Sequence, residues 1–250
     1  MREAITNAIK RNPPIYDAIN RWRKPDGKLE RWLEALAAHG PLTFIQVGAS
    51  DGLRWDPLRK HIIKNRWSGV LVEPLPPVFD LLKQNYAYLA SRQKLSFVNA
   101  ALSNESGSDL TFWACSRDFL DHLSIDRALY WLRMSSLNRE FIESKLAVLA
   151  KRPQPEKDVE PIDSPVITLA QVVQDKLNGK APDLLFIDAE GHDDSVIYGH
   201  DFSLGSPLWI VYESHGLPLE KRQNLKAFLE RKNYSVSDMD GDSVATLKNK

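Results

Sequence analysis

The chain has one cysteine, Cys115, in 250 residues. An internal disulfide and a cysteine-rich zinc site are both excluded, and Cys115 itself is expected as a small buried hydrophobe. Long apolar runs are missing too. No stretch approaches about 18 uninterrupted apolar residues, and Met1-Arg2-Glu3-Ala4 begins no apolar signal region. Neither a membrane span nor a secretory leader is expected, and the cytoplasm is the default location. Charge imbalance is absent: 33 basic residues face 33 acidic ones, which leaves no global field to attract nucleic acid or anionic lipid. No internal repeat or low-complexity tract is visible. Hydrophobic residues at 43% and charged residues at 26% fit one large domain, or a domain with an appendage, around a sizeable core.

Two nucleotide-binding signatures are also lacking. No glycine-flanked loop ends in Lys-Ser or Lys-Thr, as a P-loop requires. No turn carries the three glycines that let a pyrophosphate approach a helix N-terminus.

What is present is a short apolar run, Phe44-Ile45-Gln46-Val47, that enters Gly48-Ala49-Ser50-Asp51-Gly52. It reads as a buried strand ending in a turn where backbone comes close to something. The next such strand, Gly69-Val70-Leu71-Val72, ends in Glu73, about twenty residues beyond Gly52. In an open α/β sheet that spacing puts the acid at a neighbouring strand's carboxyl end, within reach of ribose hydroxyls. A glycine pair with a small polar interior suits a nucleoside ligand without pyrophosphate, such as S-adenosylmethionine (SAM), whose carboxylate can sit against turn N–H groups.

Residues 1–41 read as a separate helical segment. Leu29, Trp32, Leu33, Leu36 and Ala37 recur at helical spacing, and Gly40-Pro41 closes it. Arg21, Arg23, Lys24, Lys28 and Arg31 form a basic cluster, either a solvated helix face or a contact for an anionic partner. Beyond it, Asp56-Pro57 reads as the start of a helix running to about Asn65. Val78, Leu81, Leu82, Tyr86 and Leu89 share the face of another, and Leu95-Ser96-Phe97-Val98 is a third strand. Residues 113–165 break the alternation and read as a helical insertion, a lid over the site or extra core. Thr168 and Gln171 fit a capping box. Strands follow at residues 184–188 and 208–213, then a helix with Leu225, Phe228 and Leu229 inward that stops at Asn233. A hairpin across Asp240-Gly241-Asp242 ends the chain.

The motifs resemble, in order, those of the FkbM family of SAM-dependent methyltransferases. Residues 44–52 are similar to the first motif of class I methyltransferases. Val72-Glu73-Pro74-Leu75-Pro76 with Leu82 and Asn85, then Asn99-Ala100-Ala101-Leu102-Ser103, are similar to the second and third FkbM motifs. Ser135-Ser136-Leu137, Ile167-Thr168-Leu169 and Phe186-Ile187-Asp188-Ala189-Glu190-Gly191-His192-Asp193 follow in family order. The resemblance spans roughly residues 42–247. It implies an α/β Rossmann-like fold with a mostly parallel sheet of about seven strands and a C-terminal antiparallel hairpin, covering a domain over 42–250. It also implies a SAM site built from Gln46, Gly48, Ala49, Ser50, Asp51, Gly52, Glu73, Pro74 and Asp188. In that site Glu73 holds the ribose, the glycine turn passes the methionine moiety, and Asn99, Ala100 and Ala101 meet the adenine. One departure stands out: family members usually carry an acid where Gln46 stands, and Asp51 is the neighbouring carboxylate that offers a substitute.

Methyl transfer to a hydroxyl needs in-line alignment, exclusion of water and a positioned base. Asp188, Glu190, His192, Asp193, Glu213 and His215 lie at the ends of two strands expected beside the first. His192 or His215 is the expected base, because imidazole titrates near neutrality, with Asp188 and Glu190 orienting it or the acceptor. A divalent cation on Asp188, Glu190 and Glu213 is an alternative way to activate the hydroxyl. The expected partner is a small-molecule acceptor, a glycan or secondary metabolite, rather than a nucleic acid. Alternatives are nitrogen or carboxylate methylation, or SAM binding without catalysis by an interaction protein.

Overall fold

The computed structural model describes residues 12–20, 23–54, 56–89 and 91–248. Residues 1–11 and Arg21 of the basic cluster lie outside these. Arg23, Lys24, Lys28 and Arg31 are exposed, a solvated face as the first of the two readings holds. Among the described residues no helix is long and apolar enough to cross a membrane.

The central sheet is built from β1 (Thr43–Val47), β2 (Ser68–Val72), β3 (Leu95–Val98), β7 (Leu184–Ile187), β8 (Trp209–Glu213), β9 (Tyr234–Met239) and β10 (Asp242–Leu247). Their order is β3-β2-β1-β7-β8-β10-β9. The first five run parallel, and β10 is antiparallel to both β8 and β9. The architecture is thus the mixed α/β one expected, with a C-terminal hairpin on a mostly parallel sheet.

Strand periodicity explains the two cores. Ile45, Val47, Val70, Val72, Leu185, Ile187, Ile210 and Tyr212 point to one face. Phe44, Leu71, Leu184, Phe186 and Val211 point to the other, because successive side chains alternate across a strand. Helices α8 (Leu169–Leu177), α9 (Asp193–Tyr198) and α10 (Leu219–Arg231) cover the first face through Val172, Val173, Val196, Ile197, Leu225 and Leu229. Helices α2 (Gly27–Leu36), α3 (Arg59–Asn65) and α4 (Pro76–Tyr86) cover the second through Leu33, Leu36, Ile62, Leu82 and Tyr86. Each of these aliphatic side chains contributes about 1.5–3 kcal/mol by leaving water. The caps follow local chemistry: Gln171 Oε1 accepts from Thr168 N at 2.7 Å while Thr168 Oγ1 accepts from Gln171 N at 3.2 Å. Asn233 adopts φ 69° where α10 stops.

The insertion differs from expectation. It does contain helices, α5 (Arg117–Asp121), α6 (Ile125–Leu132) and α7 (Arg139–Leu149), but it stands on a second sheet. Strands β4 (Ala101–Ser103), β5 (Gly107–Cys115) and β6 (Val159–Thr168) pair in the order β4-β6-β5. Its core gathers Phe119, Trp131, Ile142, Leu146, Val159 and the buried Cys115. Strand β6 includes Pro161 and Pro165, residues that argue against a strand when the sequence is read alone. A further helix, α1 (Pro13–Asn20), precedes α2.

Candidate active site

The site is assembled at the carboxyl ends of β1, β2 and β7. Gly48 and Ala49 donate their N–H groups to the Val72 carbonyl at 3.0 and 2.9 Å, and Asp188 N donates to the Val47 carbonyl at 3.0 Å. Gly48 has φ +76°, and a Cβ there would overlap the Asp188 carbonyl oxygen. Only glycine lets the two strand ends come this close.

Glu73 is buried, 5% exposed. Its Oε2 accepts from Ser50 N at 2.9 Å and its Oε1 from Leu75 N at 3.0 Å. An ionised carboxylate has about four lone-pair sites, so each oxygen keeps one to offer a ligand. Burial pushes the Glu73 pKa up to about 7 against the lowering effect of the two N–H groups. Asn99 Nδ2 clamps the same corner, donating to the carbonyls of Glu73 and Pro74 at 2.8 and 2.9 Å.

A cavity of about 360 Å³ extends from this corner. Gly48, Ser50, Glu73, Pro74, Ala100 and Ala101 line one end, and Asp188, Ala189, Glu190 and His192 line the other. Leu75, Val78, Leu102 and Phe112 make an apolar wall, and Leu132, Arg133, Ser135, Ser136 and Leu137 come from the insertion. The insertion is fastened over the site. Within it, Trp113 N donates to Ser136 O at 2.7 Å, and Ser136 N donates back to Trp113 O at 3.0 Å. From the cofactor side, Arg54 Nε donates to Asp126 Oδ1 of α6 at 3.1 Å.

The acidic end is electrostatically crowded. Burial raises the Asp188 pKa while Arg133 draws it down. Burial, then Asp188 and Glu213, raise Glu190 to about 6. Asp193 holds the loop rather than facing the cavity. Its Oδ1 accepts from Glu213 N at 3.0 Å and its Oδ2 from Ala189 N at 3.3 Å, and burial raises its pKa to about 7.

Several expected site residues lie off the cavity wall, each for a structural reason. Gln46 alternates away from Val47 onto the sheet's other face, 3% exposed, and its Nε2 donates to Asp56 Oδ1 at 3.1 Å. Asp56 also accepts from Leu58 N at 2.8 Å and from Tyr86 Oη at 3.3 Å. Gln46 is thus paired with an acid, Asp56, on the face turned away from the cavity, where Asp56 also caps the turn that leads into α3. Asp51 is engaged by Arg54, its Oδ2 accepting from Arg54 Nη1 at 2.6 Å, and does not line the cavity. Ala49 packs in the second core, and Gly52 is sandwiched under Leu82 and Tyr86. Asn99 is a backbone clamp. His215 is exposed beside Gly241 and outside the cavity, unlike His192. Among the described residues no group of three or more His, Cys, Asp or Glu side chains is arranged to hold a metal ion, so Asp188, Glu190 and Glu213 do not form the ligand set considered above.

Arg133, Val78 and Phe112 have no place in the motifs, whereas Leu75 and Leu102 belong to the second and third motifs and Ser135-Ser136-Leu137 is a landmark beside Arg133. The residues present fit a nucleoside ligand. Ser50 Oγ is buried without a protein partner although Ser50 lines the cavity. Buried polar atoms normally find one.

The sequence model of the family described as "Methyltransferase FkbM domain" matches residues 46–236. Among solved structures, the chain is similar in fold to an FkbM methyltransferase from Methylobacillus flagellatus KT, at 12% identity and TM-score 0.49, over 82% of this chain and 43% of that one. It thus spans less than half of that protein's length. It is also similar to SAH-bound PaMTH1, a methyltransferase from Podospora anserina, at 10% identity and TM-score 0.46, over 99% and 95% of the two chains. A precorrin-6y C5,15-methyltransferase from Geobacter metallireducens GS-15 follows at 13% identity and TM-score 0.41, over 87% and 88%. No curated protein matched. With its family motifs matched over more than half of its length, the chain belongs to the FkbM methyltransferase family, which implies S-adenosylmethionine as methyl donor.

Proposed function

We propose that the protein is a SAM-dependent O-methyltransferase acting on a hydroxyl of a sugar or another small polar metabolite. The observation that carries this reading is one continuous cavity. It runs from Glu73, a carboxylate held by two backbone N–H groups, to Asp188, Glu190 and His192 beyond β7.

In this reading Glu73 accepts from the ribose hydroxyls with its remaining lone pairs, and Ser50 Oγ gains the partner it lacks. Pro74, Ala100, Ala101 and Leu102 border the adenine. When bound, SAM supplies an electrophilic methyl group on a sulfonium. His192 takes the proton of the acceptor hydroxyl, and Asp188 and Glu190 accept hydrogen bonds from neighbouring hydroxyls. An acceptor-only carboxylate pair suits a donor-rich, neutral ligand. The insertion excludes water from the reacting end.

The test is transfer of labelled methyl from SAM to a panel of glycosides and other hydroxylated acceptors. Transfer is expected, falling about 10²-fold or more in His192→Ala, as loss of a general base entails, with SAM binding kept. His215→Ala should transfer like the unmodified protein. Tight SAM binding with no transfer to any hydroxyl would instead favour an interaction protein, and transfer only to amines or carboxylates would overturn the hydroxyl reading.

A further inference from the structure

The amino-terminal helix α1 lies outside residues 46–236, the span that matches the family, and none of its residues is fully buried. Nevertheless its Asp17 reaches into the site's foundations. The Asp17 carboxylate accepts from Arg59 Nε at 2.7 Å and from Arg59 Nη2 at 2.9 Å, a bidentate pair, and also from the Tyr88 hydroxyl.

Arg59 is 2% exposed. Its Nη1 donates to the Gly52 carbonyl at 2.5 Å and its Nη2 to the Asn85 carbonyl at 2.9 Å, while the guanidinium lies 4.5 Å over the Tyr86 ring. Asn85 in turn donates from Nδ2 to the Asp51 carbonyl at 2.8 Å. Two consecutive carbonyls of the glycine turn, those of Asp51 and Gly52, are therefore held from one side by a single network. The amide at the other end of that turn is Ser50 N, the group that orients Glu73.

A guanidinium this deeply buried is stable only with a carboxylate and a full set of acceptors. Asp17 provides the carboxylate across 42 residues of sequence. If Asp17 loses its charge, Arg59 is left to seek water, and the turn loses the anchor that fixes Gly52.

We propose that Arg59, clamped by Asp17 of α1, is a positioning residue for the cofactor turn, so that the amino-terminal helix sets the protein's affinity for SAM. The inference rests on the reading of the cavity as a SAM site and adds to it a control element outside the family motifs.

The test uses the full chain. SAM and its demethylated product are titrated calorimetrically into the unmodified protein, Asp17→Asn, Tyr88→Phe and Leu33→Val. The last thins the fully buried contact of α2 without touching the network. Amide hydrogen exchange over residues 50–54 is followed in the ligand-free proteins. Asp17→Asn should weaken both ligands roughly tenfold, within the range of site-to-site couplings, and speed exchange at the turn. Tyr88→Phe should move both readings less and in the same direction, and it carries the test if Asp17→Asn does not fold. Leu33→Val should lower the melting temperature while leaving affinity and turn exchange unchanged. Affinity within twofold of the unmodified protein in Asp17→Asn, or an equal loss in Leu33→Val, would overturn the proposal. If the unmodified protein bound neither ligand, the cofactor reading itself would fall.

Discussion

Replacing Glu73 by Gln at pH 8 should separate stability from cofactor affinity. The Glu73 carboxyl, with its pKa pushed up to about 7 by burial, is charged at that pH. Holding this charge inside the protein costs roughly 3 kcal/mol relative to the unfolded chain. Glutamine is nearly isosteric and neutral, and it removes that cost. Its amide nitrogen cannot accept, however, so either Ser50 N or Leu75 N loses its acceptor, a penalty of about 1–3 kcal/mol. The two effects nearly cancel, so the ligand-free variant should melt within a few degrees of the parent, at about 2–4 °C per kcal/mol for a chain this long. Binding has no such compensation. On the proposed ribose contact, one or two charge-assisted hydrogen bonds are lost at about 1.5–3 kcal/mol each, which weakens SAM roughly 10- to 150-fold or more. Differential scanning calorimetry and isothermal titration at pH 8 read the two quantities separately. Repeating the titration at lower pH adds a second check. The parent should lose affinity as Glu73 protonates below about pH 7, whereas Glu73→Gln should show a flatter profile. A variant that loses several kcal/mol of stability but binds SAM like the parent would refute the reasoning.

Other consequences are equally direct. Gly48→Ala places a methyl group against the Asp188 carbonyl at φ +76°. The strain and the displaced β7 end should destabilise the protein by about 3 kcal/mol or more, measurable by urea denaturation. A loss under about 1 kcal/mol would show that the two strand ends can part freely. The ligand-free protein should also lose stability as pH rises from about 5 to 7.5. Glu73 and Asp193, each raised to about 7, and Glu190 and Asp242, each raised to about 6, bind more protons folded than unfolded in that window. The stabilisation they provide is complete below the unfolded pKa values and is lost through the folded ones. A melting temperature that rises over the same range would contradict the cause assigned to those shifts.

Much of the framework was legible because it is local. Short continuous apolar runs bounded by turn residues announced β1, β2, β7 and β8, the pattern of strands buried on both faces, and such a run needs no partner to be read. The Thr168–Gln171 box, the left-handed Asn233 and the Asp240-Gly241 hairpin turn are likewise written in neighbouring residues. Glu73 was found because its distance from the glycine turn reflects a single helical crossover.

The residues that misled are those whose meaning depends on distant parts of the chain. Gln46 reads as part of a cofactor motif, yet a strand sends successive side chains to opposite faces, and Gln46 falls opposite the cavity, against Asp56. His192 and His215 are equivalent in the sequence, and the fold puts His192 on the cavity wall while His215 lies exposed beside Gly241. Strand β6 hid behind Pro161 and Pro165, and its pairing with β5 converts a helical insertion into a roof standing on its own sheet. The sequence by itself determined the parallel sheet, the glycine turn and the acid that faces it, since backbone sterics and side-chain periodicity act over a few residues. Tertiary structure alone decided which polar groups share one cavity, and that Asp17 and Arg59 meet beneath it, because buried charges are satisfied by whatever the folded chain brings within about 3 Å.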